Sequence, residues 1–164
     1  MLKMSGTGFY QGYGEKYMVD SFKSSMEKFF TSVNVFIFRT SRGHLGNRMG
    51  RQSVLLLNTI GRKSGKRHTT TLSYYHDGST YLVVASNWGK ENHPGWYYNL
   101  VQQPSTTIQV GPEIILVEAR PAQAEDYQRL WELVTSQNDQ YIHYQAGLKR
   151  KIPIVILTPT NSTR

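Results

Sequence analysis

Residues 61–72 read Gly-Arg-Lys-Ser-Gly-Lys-Arg-His-Thr-Thr-Thr-Leu, and their types and spacing suit anion binding. Arg62, Lys63, Lys66 and Arg67 fall within six positions with no acid among them. The chain carries 19 Lys+Arg against 11 Asp+Glu, so half of its net +8 is concentrated here. Like charges this close repel, and an anionic partner relieves that cost. A basic turn with glycines offers main-chain N–H groups, a hydroxyl and cations to phosphates or carboxylates. It is not a nucleotide P-loop, because three residues rather than four separate Gly61 from Gly65 and a strand pattern follows. An ordinary solvated basic turn is the plainer alternative.

Three further segments carry groups that can do chemistry. In Val83-Val-Ala-Ser-Asn-Trp-Gly-Lys90 a strand ends in small residues, which lets a ligand approach the backbone, and Ser86 can donate a hydrogen bond to a carbonyl. Asn92-His-Pro-Gly-Trp-Tyr-Tyr-Asn-Leu100 opens a helix whose first N–H groups are free for an anion. Asn99 there suits bridging to backbone groups that position the turn, while Trp96 and Leu100 suit packing. In Asn138–Gly147, Tyr141 and Tyr144 share a helical face. Phenols beside a reacting carbonyl donate a proton to it or polarise it, and packing of two amphipathic rings is the alternative.

Other chemistries are excluded or unsupported. The absence of cysteine excludes disulfides, thiolate metal sites and a Cys nucleophile. The five histidines, His44, His68, His76, His93 and His143, show no metal-ligand spacing, so no metal is expected. No Ser-His-Asp arrangement and no paired carboxylates stand out. Chemistry here belongs to a bound organic cofactor.

The elements that must hold these residues follow from periodicity. Residues 1–14 are rich in glycine and aromatics without periodicity and read as a mobile tail. From 15 to 33, Met18, Val19, Phe22, Met26, Phe29, Phe30 and Val33 recur at three and four, an amphipathic helix with Lys16, Lys23, Glu27 and Lys28 on its other face. It either packs on a sheet or lies on an anionic membrane surface. A short apolar run covers 34–38, and 39–51 reads as a basic loop. Strands are expected at 53–59, 70–76, 80–86, 106–110, 113–119 and 153–158, with Asp77-Gly78 and Gly111-Pro112 as turns. Helices are expected over 93–102, capped by Asn92 or His93, and over 121–137. Six strands joined mostly by short turns, with helices peripheral to them, indicate a mainly β fold, an antiparallel barrel with helices packed outside. At 164 residues one domain is expected, spanning 15–164 after the tail. No run is long enough to cross a bilayer and no signal-peptide core is present, so a soluble, cytoplasmic protein is expected.

Together these motifs resemble the deazaflavin-dependent nitroreductase family. They are Leu-Leu-Leu-x-Thr-x-Gly-Arg-Lys-Ser-Gly over 55–65, Val-Val-Ala-Ser over 83–86, His-Pro-Gly-Trp-Tyr-x-Asn-Leu over 93–100 and Arg-x-Ile-Pro-Ile-Val over 150–155. The resemblance implies a split β-barrel of the kind also used by FMN-dependent oxidases, with coenzyme F420 as cofactor. It implies that Arg62, Lys63 and Ser64 hold the cofactor's phosphate and acidic tail, with His68, Thr69 and Thr70 continuing that wall. Val84, Ala85, Ser86 and Asn87 would line the deazaflavin ring, and Gly95, Trp96, Tyr97, Tyr98 and Asn99 would close the other side. Tyr141 would lie near the reactive face, and Ser86 and Tyr144 near the acceptor. The implied reaction passes a hydride to an electron-poor acceptor such as a quinone or a nitroaromatic. Ser73, Asn138, Asn87 and Trp88 depart from the family pattern, all on the acceptor side, so nitroimidazole activation is not expected.

Alternatives remain on the residues alone. FMN on the same barrel fits the basic loop less well, because one phosphate needs fewer cations than a long acidic tail. A non-catalytic carrier of cofactor or lipid would share the site. A nucleic-acid binder would leave the 93–100 motif without a role. A homodimer and a peripheral membrane contact through the first helix are further expectations.

Overall fold

A computed structural model describes residues 48–49 and 52–160. The expected tail, the amphipathic helix over 15–33 and the run 34–38 lie outside the described residues.

The apolar run at Val54–Leu57 forms the centre of a long strand, β2 (Gln52–Ile60), which hairpins with β3 (Arg67–Asp77) in a register from Val54↔Ser73 to Ile60↔Arg67. β3 turns into β4 (Thr80–Val84), β5 (Ser105–Val110) into β6 (Glu113–Pro121), and β7 (Ile154–Pro159) lies between β4 and β6. β2 also pairs β5, so the order β2-β3-β4-β7-β6-β5 returns to its start as a closed six-stranded antiparallel barrel. A two-residue strand, β1 (Arg48–Met49), pairs with β2 inside the stretch read from sequence as a loop. Both tight hairpins place glycine first in a two-residue loop, Gly78 (φ 59°) before Ser79 and Gly111 (φ 55°) before Pro112. That left-handed conformation strains any side chain with a Cβ.

Alternation along the strands makes two main cores, and Val54 and Leu56 form a small third cluster. Leu55, Leu57, Val83, Ala85, Ile108, Val117, Val155 and Leu157 face the barrel interior, where Trp96 and Leu100 join them. Tyr75, Leu82, Val84, Ile154 and Ile156 face outward and are covered by Tyr127, Leu130, Val134 and Tyr141. Each such aliphatic side chain contributes about 1.5–3 kcal/mol on burial. The cover is two helices, α2 (Ala124–Gln137) and α3 (Gln140–Ala146), while α1 (Gly95–Gln102) precedes β5.

Element ends differ from the sequence reading in instructive ways. α1 is capped by neither Asn92 nor His93. Pro94 is the N-cap, extended at ψ 152° and with no side-chain cap. The Asn92 carbonyl instead accepts from Asn87 Nδ2, and the His93 ring lies against Arg150. α2 begins three residues after Pro121, because Pro121 still pairs with Val155 as the last residue of β6. Glu125 and Asp126 sit in the first turn of α2, where negative charge favours the helix dipole. Among the described residues no helix is long and apolar enough to cross a membrane.

Candidate functional site

The loop between β2 and β3 is a compact, hydrogen-bonded turn. Gly61 N–H donates to the Lys66 carbonyl, and the N–H groups of Ser64 and Gly65 donate to the Gly61 carbonyl. Gly65 adopts φ 65°. A Cβ at Gly61 would lie 2.6 Å from Ser64 Oγ and 2.8 Å from His68 Nε2, so only glycine lets those groups close over the backbone. The side chains of Arg62, Lys63, Ser64, Lys66, Arg67 and His68 are all exposed.

This turn is latched to α1 by one buried side chain. Asn99 Oδ1 accepts from the Arg62 N–H at 3.1 Å, and Asn99 Nδ2 donates to Thr59 Oγ1 at 3.1 Å. Asn99 is only 8 % exposed, so these two bonds replace its lost hydration. Asn99 thus bridges one backbone group, the Arg62 N–H, and one side chain, the Thr59 hydroxyl. Arg62 stacks its guanidinium over the Tyr98 ring at 4.5 Å, and the His93 ring meets both Tyr97 and Tyr98. Burial and the neighbouring Tyr98 hold the Tyr97 phenol above its ordinary pKa.

Between the turn and α1 lies a groove of ≈ 540 Å³, lined by residues that include Arg62, Lys63, Ser64, His68, Thr70 and Trp96, with Gly95 and Asn99 opposite the turn. Thr69 does not share it. The pleat sends His68 and Thr70 to one face of β3 and Thr69 to the other, where its hydroxyl donates to Asn58 Oδ1 at 2.8 Å.

The strand-end segment divides by the same alternation. Val84 enters the outer core and Ala85 the barrel interior, so both side chains are buried. Ser86, Asn87 and Trp88 then leave the sheet in a 3₁₀ turn, Asn87–Gly89, whose three residues all have positive φ (52°, 57° and 74°). Trp88 is 66 % exposed. Ser86 stands at the N-cap of this turn without its hydroxyl capping it.

Tyr141 and Tyr144 share one face of α3, as expected, and both pack into the outer core rather than lining the groove. The Tyr75 and Tyr141 hydroxyls share a hydrogen bond at 3.3 Å. Burial, foremost, and then Tyr75 push the Tyr141 phenol far above its ordinary pKa, so it acts as a neutral hydrogen-bond donor. Tyr144 meets the 3₁₀ turn, its Cδ1 lying 2.9 Å from where a Cβ on Gly89 would stand.

Two contributors were not singled out by the sequence reading. Thr59 is the threonine of the 55–65 motif, yet its type alone gave no partner. Arg150 belongs to the 150–155 motif, yet its partners lie some sixty positions earlier, at Ala85, Ser86, Lys90, Asn92 and His93. No local pattern reports such a contact.

Comparison with known proteins agrees with this architecture. A chain solved as an F420-H2 dependent reductase superposes with a TM-score of 0.59 at 31% identity, over 63% of this chain and 92% of that one. A second solved chain, described as a domain-swapped dimer, gives a TM-score of 0.62 at 27% identity over 85% of this chain and 98% of its own. An F420H(2)-dependent quinone reductase of Mycobacterium tuberculosis is 44% identical over 126 residues, 74% of this chain and 85% of the relative. The fold is the split barrel expected. The nitroreductase name is corrected, because the family model that matches is a different one. Residues 31–159 match the F420H(2)-dependent quinone reductase family, and this chain belongs to it.

Proposed function

We propose that this chain reduces a quinone with coenzyme F420 as hydride donor, holding the cofactor's acidic tail in the groove between the β2–β3 turn and α1. The observation that carries the proposal is the basic turn fixed by Asn99 at the mouth of that groove. Its donor set fits a polyanion: exposed Arg62 and Lys63, the Ser64 hydroxyl and His68, over a glycine that admits no Cβ. A single phosphate would leave several of these cations unpaired, which favours a tail of carboxylates beyond the phosphate.

When bound, F420 supplies the hydride, and the protein supplies position and electrostatics. Arg62, Lys63, Ser64, His68 and Thr70 bind the tail, with Thr69 supporting Asn58 behind the strand. Gly95, Trp96, Tyr97, Tyr98 and Asn99 form the far wall, and Val84, Ala85, Ser86 and Asn87 offer the flat ring a strand-end backbone. Ser86, Tyr141 and Tyr144 act on the acceptor. Tyr141 stays a neutral phenol bonded to Tyr75, and a hydroxyl of that pair turned to the quinone oxygen as charge develops there would stabilise it without a full proton transfer. Trp88 borders the acceptor and restricts its bulk.

Two features of assembly belong to the same proposal. A homodimer is supported by the relative solved as a domain-swapped dimer; light scattering of purified protein should give twice the 18.8 kDa chain mass, and a monomer at all concentrations removes it. A membrane contact by residues 15–33 would bring the enzyme to lipid-soluble quinones. Flotation with anionic liposomes should carry the full chain and leave behind a chain lacking those residues. The activity itself is tested by stopped-flow reoxidation of the reduced-F420 complex with menadione, where Ser86→Ala and Tyr141→Phe should each slow reoxidation by about 10- to 100-fold with unchanged F420 affinity.

A further inference from the structure

The turn after β4 demands an explanation that the groove does not provide. Asn87 and Trp88 both lie in the left-handed region, which side chains with a Cβ disfavour, Trp more than Asn. Such conformations persist only when the surroundings over-determine them. The surroundings here converge on one side chain. Arg150 Nη2 donates to the Ser86 carbonyl at 2.8 Å and to the Lys90 carbonyl at 2.8 Å. Its Nε also reaches the Lys90 carbonyl at 3.2 Å, and longer contacts of 3.4 Å run to the carbonyls of Ala85 and Asn92. Nη1 donates to His93 Nδ1 at 3.0 Å, which fixes that ring as an acceptor at Nδ1.

We propose that Arg150 is a positioning residue for the reaction: its guanidinium fixes the strand-end loop from Ala85 to His93 and couples it to the anion groove. The coupling is continuous. Arg150 holds His93, the His93 ring rests on Tyr97 and Tyr98, and Tyr98 carries the Arg62 guanidinium of the basic turn. The loop on the acceptor side and the turn that holds the tail are thereby set at one distance from each other. The planar fork of five N–H donors is what the task requires, because carbonyls on both sides of the turn must be held at once. A lysine ammonium is a single point and cannot span them.

This inference rests on the F420 reading, and the test separates the two. Arg150→Lys keeps the charge and most of the stem; Arg150→Gln removes the charge. Amide hydrogen exchange of the protein without cofactor should accelerate about tenfold or more across 85–93 in Arg150→Lys, with the β2–β3 hairpin and α2 unchanged. F420 affinity should fall by much less than the reoxidation rate, because Asn99 still latches the anion turn while the ring-facing segment loosens. Single-turnover reoxidation by menadione should slow by about 10- to 100-fold, the usual effect of a small misplacement. Unchanged exchange in 85–93 overturns the proposal, as does a joint fall of affinity, rate and melting temperature, which marks a general loss of fold. If wild-type protein fails to bind F420, the F420 reading and the coupling to its groove fall together, while the exchange measurement still decides whether Arg150 fixes the loop.

Discussion

Asn99 and Lys63 occupy the same groove and act through different physics. Asn99 is buried, and truncating it leaves the Arg62 N–H and the Thr59 hydroxyl without their partner. Asn99→Ala should therefore cost about 1–3 kcal/mol of stability in urea titration and also weaken F420 binding, because the turn loses its latch. Lys63 is exposed, and no shift of its folding free energy beyond about 0.5 kcal/mol is expected for Lys63→Ala. Its F420 affinity should fall steeply. An unchanged affinity in Lys63→Ala would remove the anchoring role given to the turn. His93 adds a pH term. Burial first, and then the Arg150 guanidinium, hold its pKa below the ordinary value of 6.5. The unfolded chain then binds the proton more readily than the folded one, so stability is full above pH 6.5 and declines as pH falls towards the lower folded value. The charged group in contact with the ring is Arg150, and the rings of Tyr97 and Tyr98 close the rest. Urea titrations at pH 7.5 and 5.5 should show this slope, and His93→Gln should flatten it.

At the scale of elements, the 3₁₀ turn is the most constrained piece of the site. Gly89 combines φ 74° with a Tyr144 ring carbon 2.9 Å from the place of a Cβ. Gly89→Ala should destabilise the protein by about 1–3 kcal/mol and displace Tyr144, read as lower melting temperature and slower menadione reduction. Strands were legible in the sequence because short apolar runs bounded by glycine-bearing turns are local signals, and so was the basic turn. The pleat was also available yet incompletely applied: His68, Thr69 and Thr70 form no continuous wall, since successive residues of a strand face opposite ways. The left-handed Asn87–Gly89 turn was only faintly legible: Asn and Gly favour positive φ, but Trp88 between them does not. Its cause is Arg150, far along the chain, and long-range contacts have no periodicity to read.

For the whole molecule, closure of β2 onto β5 is what brings the turn, α1 and the strand end into one rigid frame. The net +8 is then a property of a site as much as of a surface, since four of the cations crowd one turn of that frame. The acceptor is a different matter: of the residues proposed to face it, only Ser86 falls in one of the recognised motifs, whereas Trp88, Tyr141 and Tyr144 fall in none, so the sequence pointed to the cofactor more sharply than to the quinone. The central claim is F420-linked quinone reduction, and one measurement reaches it most directly. Purified protein is titrated with F420 and, separately, with FMN by fluorescence, and menadione is then added to the reduced-F420 complex. The account predicts saturable F420 binding that exceeds any FMN binding, followed by rapid reoxidation; absence of F420 binding, or binding with no reoxidation, contradicts it.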